Sequence, residues 1–387
     1  MIDFILLLIV PLLISIGAMI YFRGKITWVE FLCQAGVLIL FVAACVGLSY
    51  YQATSDKELW NGQVVDKKRL EVSCRHSYRC HCHEVCSGSG NSRSCSEECD
   101  TCYEHSYDVD WNVYASLGAK QEEVSIDTID RQGLKMPPRW GRSYIGEPWT
   151  SQHTYENYIL ANPDSVLTGG KGDVKKWSNW HMIPDYPGVF DYYRSNHFIN
   201  LAVPNVDFNT WNWLVNEANK TLGPKKQVNI LVILVKTADS SYAQALRTAW
   251  LGGKKNDAVV VIGSQDGHKI EFVDVISWAV RADFRDNLRQ DIRDIGTLDQ
   301  RDAIIKAIYD ETDNRFVRMH MKDMEYLMRS FQPSGTAMWI TFILGCLVSL
   351  GISFGFLKYY EDEHGWERNW WARPKQDVKP KPYDPYY

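Results

Sequence analysis

Residues 228–262 read VNILVILVKTADSSYAQALRTAWLGGKKNDAVVVI, and this stretch decides the fold. Residues 228–236 are almost continuously apolar and β-branched, the pattern of a strand buried on both faces. Ser240 and Ser241 suit the start of a helix, because their hydroxyls accept from first-turn amides that have no partner. Tyr242, Ala245, Leu246 and Ala249 then recur at i, i+3, i+4 and i+7 as one apolar stripe, and Gly252 and Gly253 end it. Residues 258–262 form a second buried strand. A strand, a helix and a strand in so short a run place the two strands side by side and parallel.

Beyond this unit, Gln265-Asp266-Gly267-His268 signals a tight turn. Ile270 and Phe272 alternate with Lys269, Glu271 and Val273 on a return strand, and helices are expected over 281–295 and 299–309. An amphipathic stretch, 211–222, precedes the first strand. The order β-α-β-β-α-α describes an α/β sandwich. In these segments, in Asn256-Asp257-Ala258-Val259-Val260-Val261 and in the Asp266-Gly267 turn, residues 205–312 resemble the TPM domain. That family occurs in membrane-anchored extracytoplasmic bacterial proteins and in a thylakoid-lumen protein linked to photosystem repair. The overall plan is also similar to membrane proteins of tailed-phage genomes.

The resemblance implies a metal-binding or phosphatase-like activity, since members have been described in both ways. In open α/β sheets, ligands gather beyond the carboxyl ends of the strands. Here that edge carries Thr237, Asp239, Ser240, Ser264 and Gln265. Asp239 is the metal-ligand candidate, for Ca²⁺ or Mg²⁺, beside a helix N-terminus suited to phosphate. An Asp directly before Ser-Ser is also what an ordinary helix cap looks like, and Asp257 and Asp266 sit where carboxylates serve the backbone. The chain has no C-x5-R loop, P-loop, G-x-S-x-G or H-E-x-x-H. A binding or assembly role is therefore expected, with a membrane-tethered metal-dependent hydrolase as the alternative.

Three runs without charge, 4–22, 31–51 and 336–357, each reach roughly 30 Å as helices, the thickness of the hydrocarbon layer. The first is followed, not preceded, by Arg23 and Lys25, the reverse of a signal peptide. Cations also open the tail, at Lys358, Arg368, Arg373 and Lys375, so both segments are expected in the cytoplasm. The N-terminus and the large region between the second and third runs then face outside. The 42 Lys and Arg against 47 Asp and Glu give a net charge of −5. That balance offers no basic field for nucleic acid. The lipid bilayer, other membrane or extracytoplasmic proteins and a second copy of the chain are the expected partners.

Of ten cysteines, Cys33, Cys45 and Cys346 lie in apolar runs, while Cys74, Cys80, Cys82, Cys86, Cys95, Cys99 and Cys102 cluster. His76, His81, His83 and His105 are interleaved with them. Outside the cytoplasm such a cluster is expected to form disulfides that stand in for a missing core. With the opposite topology it would be a zinc module, although only Cys99 and Cys102 form a C-x2-C pair. Seven is odd, so at least one thiol stays free, pairs with another chain or joins a metal site. Residues 87–94, rich in Ser, Gly and Asn, read as a loop tip.

Residues 108–204 hold many aromatics but few periodic runs. Packing explains them, with a stacking platform for sugars or another partner as the alternative. Asn219-Lys220-Thr221 is a glycosylation sequon. Met324, Leu327, Met328 and Phe331 make a helical stripe ended by Pro333.

The chain is thus expected to be a membrane-anchored α+β protein with three transmembrane helices, a Cys-rich irregular module and a TPM-like α/β sandwich domain. The divisions are two spans in 1–51, the disulfide module in 52–107, and the aromatic-rich irregular region in 108–204. The TPM-like domain follows in 205–330, the third span in 331–357 and a cytoplasmic tail in 358–387.

Overall fold

A computed structural model describes residues 6–22, 25–87, 94–127, 133–162, 173–330 and 334–364. Arg23, most of the 87–94 loop tip, Phe331, Pro333 and the tail cations Arg368, Arg373 and Lys375 lie outside the described residues. The chain divides into two compact units: Met1–Ala53 with Gln332–Tyr387, and Thr54–Phe331.

Helix α1 spans Ile9–Tyr21 and α2 spans Trp28–Thr54. The larger unit begins with β1 (Ser55–Ser73), the hairpin strands β2 (Ser77–Ser87) and β3 (Ser94–Tyr103), then β4 (Tyr107–Ser116) and β5 (Gln121–Ser125). Next come α3 (Pro138–Arg142), β6 (Pro148–Glu156), α4 (Val174–Ser178), β7 (Phe198–Leu201) and α5 (Phe208–Lys226). Strand β8 (Asn229–Val235), α6 (Ser241–Ala249), β9 (Asp257–Gly263), β10 (Phe272–Ile276), α7 (Ala282–Ile295) and α8 (Arg301–Arg315) complete it, and α9 is Gly335–His364.

The stretch 228–262 folds as its pattern requires. Strands β8 and β9 pair in parallel, and every residue of both is buried. Alternation sends Ile230, Val232, Leu234, Ala258, Val260 and Ile262 to one face, where α5, α7 and α8 cover them. Leu231, Ile233, Val235, Val259 and Val261 go to the other, against Tyr242, Ala245 and Leu246 of α6. Strand β10 pairs antiparallel to β9, Phe272 opposite Gly263, so the connection through Asp266-Gly267 is longer than a two-residue hairpin. The sheet order is β10-β9-β8-β7. Strand β7, parallel to β8, lies upstream of residue 205; it was not legible because only four residues pair.

The region expected to be irregular is instead built on a second sheet, ordered β5-β4-β1-β6 and antiparallel throughout. The nineteen-residue β1 escaped pattern reading because its second half, with Lys67, Lys68, Arg69 and Glu71, is largely exposed on both faces. Its apolar side packs Val64, Val113, Ala115, Trp149 and Tyr193. Six of the seven clustered cysteines sit on a hairpin, β2 and β3, whose register shifts between Cys80 and His83. Tyr155, Ile159, Trp278 and Met321 form a further cluster, with Met324 and Leu327 of the expected stripe packed against it.

In the smaller unit, α2 and α9 are long and apolar enough to cross a membrane. Within the described residues the first apolar run forms helix α1, of thirteen residues, about 20 Å at 1.5 Å each, so among the described residues two helices rather than three meet the criterion. Pro11 falls in the first turn of α1, where its missing amide removes no helical bond. The Pro11 carbonyl accepts from the Ser15 and Ser349 hydroxyls, and Gln34 donates to the Ser349 carbonyl at 2.7 Å.

Candidate metal centre

The β1–β4 ladder ends at Ser73 opposite Tyr107, and the β2–β3 ladder begins at Ser77 opposite Tyr103. Between them two short crossings form a neck that carries the disulfide hairpin. Cys74 and His76 come from one crossing, His105 and Asp108 from the other side. Their four ligand atoms lie within 4.8 Å of one another. Cys74 is 7% exposed and Asp108 4%.

The His105 Nε2 stands 2.5 Å from Asp108 Oδ1, and His76 Nδ1 stands 3.6 Å from Asp108 Oδ2. The Arg75 backbone amide donates to Asp108 Oδ2 at 2.7 Å, which fixes the carboxylate. That amide first, and the His105 hydrogen bond second, hold the Asp108 carboxyl below its usual range. The Cys74 thiol has only a weak bond, to the His76 carbonyl at 3.4 Å. His76 Nδ1 is buried and has no hydrogen-bond partner.

The other six clustered cysteines form three pairs at disulfide distance: Cys80–Cys102, Cys82–Cys99 and Cys86–Cys95. Cys74 is the odd one and is unpaired, as are Cys33, Cys45 and Cys346. The sequence named Cys74, His76 and His105 among the cluster but did not place Asp108 with them. The signal lay in the Cys-x-His just before β2 and the His-x-x-Asp that runs into β4, which only the β1–β4 pairing brings together.

Asp239 sits where the sequence puts it, at the carboxyl edge beyond β8. Its Oδ2 takes the Lys176 ammonium at 2.6 Å and its Oδ1 accepts the Ser241 amide at 2.9 Å. These two, Lys176 first, hold its carboxyl down at about 2. The groups of three or more ligand side chains among the described residues do not include it. Thr237 supports the same turn by accepting the Asp239 amide, and Ser264 accepts the Gly267 amide. Asn219 of the sequon is buried, donating to Ile230 O and accepting from Ile230 N, so it offers no acceptor amide in the folded unit.

Asp257 and Asn229 open β9 and β8, at the opposite edge of the sheet. Tyr186 Oη, Asn229 Nδ2 and the Lys254 amide all donate to Asp257, at 2.8, 3.0 and 2.7 Å. Asn61 of β1 donates to Asn229 Oδ1 at 3.0 Å, and Lys254 Nζ reaches Asp56 of β1 at 2.5 Å. This buried network ties the two sheets together. Burial pushes the Asp257 carboxyl up to about 6 despite its three donors.

A cleft of about 340 Å³ opens between α5 and the start of β6, lined by Glu147, Arg194, Asn212 and Asn216, with Trp213 and Phe190 also lining it. Both aromatics are exposed, at 55% and 47%. Comparison of the chain with family models, with characterised proteins and with solved structures returns no match.

Proposed function

We propose that the chain is a membrane-anchored binding or assembly protein whose Thr54–Phe331 unit stands on the extracytoplasmic side of the bilayer. The observation that carries this reading is the hairpin β2–β3. A two-stranded ribbon is marginal in water, and most residues of β2 are exposed. Three cysteine pairs at disulfide distance replace the absent core. Such cross-links persist only in an oxidising compartment. The two long apolar helices, which precede and follow the unit in the chain, supply the anchor.

A binding role is favoured over hydrolysis because Asp239 is engaged by Lys176 and by the α6 first turn. The cleft lined by Trp213 and Phe190 offers exposed aromatic surface beside amide and guanidinium donors. The helix–sheet order around β8 and β9 supports a TPM-like domain. The partner is another membrane or extracytoplasmic protein, or a second copy of the chain.

The test is labelling of intact cells with a membrane-impermeant maleimide, before and after reduction, followed by peptide mapping. Cysteines 80, 82, 86, 95, 99 and 102 are expected to label from outside, and only after reduction. Labelling of these six without reductant, and only after the cells are permeabilised, would overturn the proposal. Cross-linking before mild detergent extraction then identifies the partner; recovery of the uncomplexed chain alone would count against an assembly role.

A further inference from the structure

We infer that Cys74, His76, His105 and Asp108 bind one Zn²⁺ ion, which clamps the neck of the disulfide hairpin to the end of the β1–β4 ladder. The donor set points to the metal. One thiolate, two imidazoles and one carboxylate make a borderline-soft group of four, the number and type that tetrahedral zinc takes. Calcium and magnesium require six or more oxygens, and only Asp108 provides them here. With neutral imidazoles the site carries two negative charges, matching the ion.

The geometry agrees. Zinc–ligand bonds of about 2.0–2.3 Å put tetrahedral donors roughly 3.3–3.8 Å apart. The observed His76–Asp108 separation, 3.6 Å, falls in that range, the His105–Asp108 hydrogen bond, 2.5 Å, opens as the ion enters, and all four donors fall within 4.8 Å. Two further observations point to a missing partner inside the cluster. The His76 Nδ1 is buried without a hydrogen bond, and the buried Cys74 thiol is left over after the other six pair. The Arg75 amide on Asp108 is the outer contact that holds a ligating carboxylate in place. The Arg75 guanidinium is turned away to Asp110, at 2.8 Å, so it does not occupy the anionic centre.

Four protein ligands leave no open coordination position, so the centre is structural rather than catalytic. Its place explains its use. Only Glu104 N to His76 O, at 3.1 Å, hydrogen-bonds the backbones of the two crossings between the ladders. An ion held from both sides fixes the direction in which the hairpin projects. As the zinc–sulfur bond forms, the Cys74 Sγ proton passes to solvent. The centre shares with the proposed function its three cysteine pairs, whose formation leaves Cys74 as the free thiol of the cluster.

The full-length protein in detergent, dialysed against zinc and then against buffer, is expected to retain about one zinc per chain by elemental analysis. Replacement by Co²⁺ should give a thiolate-to-cobalt charge-transfer band with the intensity of a single thiolate. Cys74→Ser is expected to abolish that band and weaken zinc binding by on the order of 100-fold or more. His105→Gln should weaken it comparably, while His81→Ala, on the exposed hairpin, should not. Peptide mapping without reduction reports whether each variant keeps the three cysteine pairs. Wild-type protein that retains no zinc would overturn the inference. So would zinc bound equally by wild type and Cys74→Ser, or a cobalt band carrying several thiolates, since both place the ion among the hairpin cysteines.

Discussion

Raising the pH through about 6 is expected to weaken the unit that holds Asp257, the reverse of what a paired carboxylate does. Asp257 is wholly buried, and its carboxyl is pushed up to about 6, whereas an unfolded aspartate titrates near 3.9. Between these values the folded state binds the proton and the unfolded state does not. Stability linked to this group is therefore fully present below about pH 4 and is lost as the pH rises through about 6. The whole difference, about two pKa units, is worth about 3 kcal/mol. About 1 kcal/mol of it falls between pH 5 and pH 7.5. The assay is urea unfolding of the full-length protein followed by tryptophan fluorescence, comparing wild type with Asp257→Asn across that interval. Subtracting the two curves cancels the other titrating groups. Asn at this position turns an amide donor toward Tyr186, Asn229 or the Lys254 amide, so the variant starts lower by about 1–3 kcal/mol. The gap is expected to narrow by about 1 kcal/mol toward pH 7.5 as the wild type loses its advantage. A gap that stays constant, or widens with pH, would refute the reasoning and mean that the three donors hold Asp257 ionised.

Glu147→Gln is expected to destabilise the unit by about 1–3 kcal/mol in the same urea assay, because buried Arg139 would lose one of its two carboxylate partners and keep only Asp191, at 2.9 Å. Burial alone pushes the Glu147 carboxyl up, but hydrogen bonds from Arg194 and Tyr193 and the Arg139 charge outweigh it and hold it low. A loss under about 1 kcal/mol would mean that water reaches the pair. Gly263→Ala should cost about 1–3 kcal/mol, since a methyl group there meets the Phe272 ring and the Thr237 carbonyl. Gly188→Ala, which meets nothing within 4 Å, should stay within about 0.5 kcal/mol of wild type. Asp239→Ala should lose about 1 kcal/mol, the value of a helix-start hydrogen bond, with little added by its exposed pair to Lys176. Phosphoester turnover with Mg²⁺ or Ca²⁺ should be at background in both proteins; turnover lost only in the variant would restore the hydrolase alternative.

What residues 228–262 determined by themselves was the centre of the larger unit. A run such as NILVILV leaves no polar face, so it can only be a strand covered on both sides, and the helix between two such runs makes them parallel. The apolar lengths of α2 and α9 were equally local properties. For residues 4–22 absence of charge measured composition, whereas the helix among the described residues there has thirteen residues. Strand β1 could not be read locally, because its charged half is held by the ladder to β4 and not by burial of its own side chains. The cysteine count showed that one thiol must be left over. Which one it was, and that it meets two imidazoles and a carboxylate, was decided only when β1 and β4 paired. Asp108 lies 34 positions after Cys74 in the chain. A ligand set whose members approach through backbone hydrogen bonds of a sheet leaves no periodic trace in the sequence, and only the tertiary structure brings it together.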